Sequence, residues 1–262
     1  MAKRQIHFDD GAAYERMMGT WSRLVGDIFL DWLTPRPGLR WADIGCGSGA
    51  FTQLVCDRCA PAAIDGIDPS DGQLAFARSR PAGRVARFHQ GSAMALPFPD
   101  GGFDAAVMAL VIFFVPDPAK GVAEMARVVA PGGTVAAYAW NLPAGGVPTE
   151  VVLAELRAMG LDPATPPNPD ASRIDSLRAL WAGAGIEAVE TREINVTRSF
   201  ADFDEFWATT CSSPNLVSML ATMSTDQIEQ LRTRVGARLP PDAAGRIAYT
   251  GRANAVKGRM PK

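Results

Sequence analysis

The sequence predicts a doubly wound α/β fold. It is a seven-stranded, mostly parallel sheet with an antiparallel last strand and a helical insertion that acts as a cap. Three observations carry the prediction. Short apolar runs alternate with helical patterns between residues 40 and 140, the pattern of right-handed crossovers in a parallel sheet. The first run ends in Gly45-Cys46-Gly47-Ser48-Gly49, with glycine at alternate positions. Such a turn has bare backbone and free N–H groups against which a nucleotide-sized ligand can press. Finally, no helical pattern follows the last strand-like run, Arg246–Lys257, so it is expected to pair antiparallel with the strand before it.

In chain order, apolar residues at helical spacing over 12–33, including Tyr14, Met18, Trp21, Val25 and Phe29, predict one or two helices. Thr34-Pro35-Arg36-Pro37-Gly38 ends them. Arg40–Ile44 is the first strand, and Ala50–Arg58 the helix beyond the glycine turn. Ala63–Ile67 is the second strand, with Asp68 at its end; Asp71–Arg80 is a helix stopped by Pro81-Ala82-Gly83. Val85–His89 and Asp104–Leu110 are the third and fourth strands, the fourth apolar enough for burial on both faces. Pro118–Val129 is a helix closed by Pro131-Gly132-Gly133, and Thr134–Trp140 is the fifth strand. The Pro- and Gly-rich stretch Asn141–Asp170, with one helical piece at Thr149–Met159, reads as a covering segment. Ser172–Ala184 is a helix and Glu187–Phe200 the sixth strand. Residues 202–238 are helical in pieces broken at Pro214 and Ser224, an insertion between two edge strands.

Composition narrows the function. With 262 residues and 47% apolar content the chain can bury a sizeable core. A formal charge of −2 argues against nucleic acid as a partner. No apolar run reaches the roughly 18 residues that a membrane span needs, and Met1–Asp10 lacks the apolar centre of a signal peptide. A cytoplasmic location is expected. Cys56 and Cys59 form a C-x-x-C, but they fall within a predicted helix, and the only histidines are His7 and His89. No metal site is expected, since zinc takes about four convergent ligands.

Ligands of such folds bind beyond the carboxyl ends of the strands, where strand order reverses. Asp68 ends the second strand there, and a carboxylate at that place can accept hydrogen bonds from both ribose hydroxyls. Gly45-x-Gly47-x-x-Ala50 with Asp68 also fits a dinucleotide fingerprint, so the glycines alone leave a nicotinamide enzyme open. Asp43 weighs against it: a carboxylate beside the turn does nothing for a pyrophosphate but favours a cation.

The run Asp43-Ile44-Gly45-Cys46-Gly47-Ser48-Gly49 resembles motif I of the class I S-adenosylmethionine-dependent methyltransferases, a Rossmann-like superfamily. Asp68 matches their ribose-binding acid, Leu96-Pro97-Phe98 with Phe103-Asp104 their motif II region, and Glu124–Gly133 the helix and turn before their fifth strand. The resemblance implies S-adenosylmethionine as cofactor and S-adenosylhomocysteine as product. It places Gly45, Cys46 and Gly47 near the methionine part, Asp43 near its ammonium, and Asp68 on the ribose. Pro69, Ser70 and Gln73 would border the adenine, and the Leu110 backbone would lie near the amino acid moiety. Where relatives carry Gly-Asp-Ala after the third strand, this chain has Gly91-Ser92-Ala93, so Ser92 or Ala93 would meet the adenine amino group with a weaker acceptor. The whole chain, 1–262, reads as a single methyltransferase domain. Its parts are a helical cap at 1–37, a cofactor-binding half at 38–140, and substrate-covering segments at 141–171 and 202–238.

Methyl transfer from a sulfonium is an in-line displacement with a neutral leaving group, so placement supplies much of the rate. A base is needed only where the acceptor must lose a proton, and no catalytic residue is assigned. Tyr14, Met18, Trp21, Phe113, Trp140 and Trp207 are the candidate walls of an acceptor pocket. They favour a small, apolar or aromatic acceptor, bound by a monomer or homodimer. A nicotinamide-dependent oxidoreductase and a non-catalytic binder of the cofactor or its product stand as alternatives.

Overall fold

A computed structural model describes residues 15–262; His7 and Tyr14 lie outside them. The described residues build a seven-stranded sheet in the order β3-β2-β1-β4-β5-β7-β6. β1 (Arg40–Ile44), β2 (Ala63–Asp68), β3 (Ala86–Gln90), β4 (Phe103–Ala109) and β5 (Val129–Trp140) are mutually parallel. β7 (Ile247–Arg259) runs antiparallel to both of its neighbours, β5 and β6 (Glu187–Phe200). The order reverses between β1 and β4, which opens a crevice at their carboxyl ends.

Helix α1 (Thr20–Leu33) packs against α2 (Ala50–Cys59) on one side of the sheet. α3 (Asp71–Ser79) follows β2, and its Ala77 comes so close to Gly49 that a Cβ there would stand 3.0 Å from it. α4 (Pro118–Val128) packs against α6 (Ile174–Gly183), with α5 (Glu150–Ala158) between them in sequence. α7 (Phe203–Cys211), α8 (Pro214–Leu220) and α9 (Thr225–Ala237) form the insertion between β6 and β7. Side-chain oxygens start these pieces: Asp202 accepts from the Glu205 N–H, Ser213 from Leu216, and Ser224 forms a reciprocal box with Gln227. Pro214 and Ser224 are therefore starts of helices as well as breaks.

The core follows from composition. Ala105, Ala106, Val107 and Met108 of β4 and Ala136, Ala137 and Ala139 of β5 are buried, and the alanines among them let helices sit close on both faces. Phe29 of α1 meets Tyr138 of β5 at 4.7 Å and Phe51 of α2 at 6.1 Å between ring centroids. Phe29→Ala would cost on the order of 3–5 kcal/mol.

Most predicted boundaries shift by one or two residues, and three differences have a physical cause. Val85 is 67% exposed and closes a 3-10 turn, its N–H donated to Ala82, so β3 starts one residue later. β5 starts at Val129, because Val129 pairs with Phe103 before a bulge that absorbs Pro131-Gly132-Gly133. The last strand is not an edge. β7 is buried through Ala253, Asn254, Ala255 and Val256, whereas β6 carries Glu190, Arg192, Glu193 and Asn195 and takes the edge, where charge discourages further pairing. Among the described residues, no helix is long and apolar enough to cross a membrane.

Candidate functional site

The glycine turn is held shut by its own backbone. Gly45 and Cys46 both donate N–H to the Ile67 carbonyl, at 2.7 and 3.0 Å, and Gly49 donates to Cys46 at 2.8 Å. Gly47 donates to Asp68 Oδ2 at 3.0 Å. Four N–H groups of the turn, those of Gly45, Cys46, Gly47 and Gly49, are thus engaged within the protein, which leaves fewer of them for a phosphate than the sequence led one to expect. Gly45 has φ +75°, and a Cβ there would stand 2.5 Å from the Val111 side chain, so the turn is wedged between β2 and the residues after β4.

Two carboxylates flank this turn. Asp43 is 2% exposed. Its Oδ2 accepts the Thr52 hydroxyl at 2.5 Å, while Oδ1 has no hydrogen-bond partner. Burial pushes the Asp43 carboxyl up to about 7 against the bond from Thr52, and the charge of Asp68 adds to the rise. Asp68 accepts the Ser70 N–H at 2.9 Å on Oδ1 and the Gly47 N–H on Oδ2. Burial raises its carboxyl too, opposed by those two bonds. Each ionised oxygen keeps a further lone pair for a ligand. Between these acids, burial and negative charge hold the Cys46 thiol well above its ordinary range, which suits packing and not nucleophilic attack. Thr52 and Val111 are the site residues that sequence reasoning missed. Thr52 shows its role only in the fold, as a threonine fully buried on a helix face beside Asp43.

The adenine-side candidates stand nearby. Ser70 Oγ caps α3 by accepting the Gln73 N–H at 3.3 Å. Gln73 is buried and Pro69 exposed, and the Pro69 carbonyl accepts from Gln90 at 3.2 Å. Ser92 is exposed; its hydroxyl accepts the Met94 N–H at 3.2 Å, which folds the loop through Ala93 back on itself. A clamp from α4 holds the rest of that loop. Glu124 accepts the Leu96 N–H at 2.7 Å, and Arg127 binds the Leu96 and Phe98 carbonyls at 3.0 and 2.9 Å. Arg127 also pairs with Glu124 and Asp100, which lowers the Glu124 carboxyl below its ordinary range. Asp104 lies at the opposite end of the sheet, bound to Arg40. His89 pairs with Asp65 at 2.8 Å along β3.

An apolar cavity adjoins the crevice at Leu110. Leu110 has φ +64°, a strained conformation for leucine, and donates its N–H to Tyr138 at 2.7 Å. The cavity measures about 830 Å³ including its open mouth. Met18, Phe113, Trp140 and Leu110 are in its wall. The described N-terminal turn supplies Met17 and Met18, the stretch after β5 supplies Leu142, Val147 and Leu153, and α8 supplies Leu216 and Met219. Glu15–Gly19 is a π-helix, a wide turn frequent at functional sites, and it buries both methionines. Trp21 stands behind the wall, edge-on to Trp140 at 6.5 Å. Trp207 packs with Phe203 and beneath Arg232, away from the wall. Glu155 of α5 ties the two covering segments together through Arg234 at 2.7 Å and Arg238 at 3.0 Å of the insertion. Among the described residues of the wall, none is titratable.

A family model described as a methyltransferase domain matches residues 42–137. A demethylmenaquinone methyltransferase of Thermus thermophilus is 33% identical over 128 residues, 48% of this chain and 56% of that protein. The chain spans between 33% and 56% of the length of the curated relatives it matches. Among solved structures, the YcgJ protein of Bacillus subtilis shares the fold at TM-score 0.62 and 18% identity, over 91% of this chain and 98% of that one. Phosphoethanolamine N-methyltransferase 2 of Haemonchus contortus, solved with S-adenosylhomocysteine, shares it at TM-score 0.59 and 17% identity, over 96% of this chain and 57% of that one.

Proposed function

We propose that this chain, a class I S-adenosylmethionine-dependent methyltransferase by its domain and its fold, methylates a small, apolar or aromatic acceptor. The observation that carries the reading is the pair Asp43 and Asp68 around a turn in which the N–H groups of Gly45, Cys46, Gly47 and Gly49 are already donated. That arrangement repels a pyrophosphate and attracts a cation, which disfavours the nicotinamide alternative. When bound, S-adenosylmethionine supplies an electrophilic methyl group on a sulfonium that leaves as a neutral thioether.

The residues fit that group. The unpartnered Oδ1 of Asp43 would meet the positive end of the methionine moiety, with Gly45, Cys46 and Gly47 passing close to it. Asp68 would take the ribose with its remaining lone pairs. Pro69, Gln73, Ser92 and Ala93 would border the adenine. Leu110 joins the two halves, since Val111 beside it packs on Gly45 while Leu110 itself is in the cavity wall. Residues 38–140 would thus hold the cofactor, and 141–171 with 202–238 would cover the acceptor and exclude water. The demethylmenaquinone methyltransferase relative supports an apolar ring as acceptor.

Calorimetry with S-adenosylhomocysteine and with NADH tests the cofactor; the former should bind and the latter should not, and the reverse would sink the reading. Methyl transfer from S-adenosylmethionine to a panel of apolar phenols, quinols, amines and carboxylates tests the acceptor class, with turnover expected among the ring compounds.

A further inference from the structure

The wall of the cavity is mostly apolar; Thr149, Ser213 and Asn215 add polar side chains to it, and Trp140 adds a buried indole donor. Trp140 is 2% exposed, it belongs to that wall, and its indole Nε1 has no hydrogen-bond partner. An indole nitrogen is a donor only, and a buried donor without a partner carries a desolvation cost that a bound acceptor atom relieves. Ser213 in the same wall is already engaged, its hydroxyl accepting the Leu216 N–H at 3.3 Å. On the protein side Trp140 packs edge-on to the ring of Trp21, at 86° to it, and against Gly251; its Nε1 has no hydrogen-bond partner there.

Resting on the reading of this cavity as the acceptor site, we infer that the methyl acceptor is an apolar ring compound bearing a carbonyl-type oxygen, and that Trp140 selects it by donating a hydrogen bond to that oxygen. Trp140 ends β5, two residues beyond Tyr138, whose carbonyl holds the Leu110 N–H. An oxygen anchored at Trp140 is therefore a handle on the β5 side of the cavity. It leaves another edge of the ring to face Leu110 and the glycine turn. Specificity then comes from leaving the donor unpaired when the oxygen is missing, a stronger discrimination than shape alone provides in an apolar pocket.

The probes are 1-tetralone, which has the carbonyl, and tetralin, which lacks it. In calorimetry Trp140→Phe should weaken 1-tetralone about three- to tenfold, the effect of one net hydrogen bond. It should alter tetralin by less than about twofold, since an aromatic ring still fills the site. In the unaltered protein, the carbonyl stretch of bound 1-tetralone should fall below its frequency in cyclohexane. That measurement decides the matter if Trp140→Phe does not fold. Equal losses for both probes, an unchanged 1-tetralone affinity, an unshifted carbonyl band, or no binding of either probe would each overturn the inference. S-adenosylhomocysteine is titrated into the same samples. If it binds while the 1-tetralone result fails, this inference alone falls; if it does not bind the unaltered protein, the methyltransferase reading falls.

Discussion

Asp43 gives the site a pH signature. Its carboxyl titrates near 7 in the folded protein against an ordinary value of 3.8. The folded state thus binds a proton that the unfolded chain has lost, so the stabilising effect of protonation is full below 3.8 and disappears as pH rises through about 7. A cationic ligand at Oδ1 favours the ionised form. S-adenosylmethionine should therefore bind more tightly as pH rises from about 5.5 to 8, releasing protons on the way. Calorimetry in two buffers of different ionisation enthalpy reads both effects, and Asp43→Asn should flatten them; a flat profile in the unaltered protein refutes the role. Asp68→Ala should weaken cofactor binding by roughly 1.5–3 kcal/mol, the range for hydrogen bonds to charged groups. It also frees the Gly47 and Ser70 N–H groups, so a thermal melt belongs beside the titration, and unchanged affinity would exclude ribose binding. These acids and the glycines were legible because they sit at fixed offsets from a strand end. Thr52 and Val111 were not, because their roles arise only when α2 and the residues after β4 fold back onto the turn.

The element that shapes the proposed adenine side is the clamp from α4 onto the loop after β3. Arg127 spends its guanidinium on two backbone carbonyls and two carboxylates, so Arg127→Met leaves those groups without their shared donor. Unfolding in urea should show a loss of about 2–3 kcal/mol, with faster amide exchange at Leu96, whose N–H depends on Glu124. Exchange unchanged there would show that the loop is held by its apolar contacts alone. Periodicity in the sequence located this helix and every strand to within a few residues, and β1 and β6 at both ends. It did not reveal that β7 enters between β5 and β6, because periodicity records which residues alternate and not which strand lies alongside. The buried run at Ala253–Val256 was the available hint, since an edge strand seldom needs burial on both faces. The two covering segments were visible as irregular, Pro-broken sequence, but their link through Glu155 was not, as a lone glutamate within a helix ordinarily faces water.

At the scale of the molecule, the glycine turn and the cavity adjoin at Leu110, in the cavity wall, and Val111, which packs on Gly45, so the independence of the proposed cofactor and acceptor sites is testable. Phe200 and Ile247 are register partners at the ends of β6 and β7, so residues 201–246 leave and rejoin the sheet about one strand spacing apart, some 5 Å. A two-residue Asn-Gly turn can join antiparallel neighbours at that distance. Replacing 201–246 by such a turn removes Leu216 and Met219 from the cavity wall and uncovers Phe200 and Tyr249, which pack on Phe206 at 5.1 and 5.7 Å. It also strands Glu155, buried and deprived of Arg234 and Arg238. A buried carboxylate without its partner is costly, so the excised chain should also carry Glu155→Gln. None of the bonds around Asp43, Asp68 or the glycine turn involves the removed residues. The shortened chain should melt at a lower temperature yet bind S-adenosylhomocysteine within about twofold of the full chain, as independent sites do, while losing measurable affinity for 1-tetralone. Loss of S-adenosylhomocysteine binding in a chain that circular dichroism shows to be folded would mean that the cover and the turn form one energetic unit, with Leu110 transmitting strain between them.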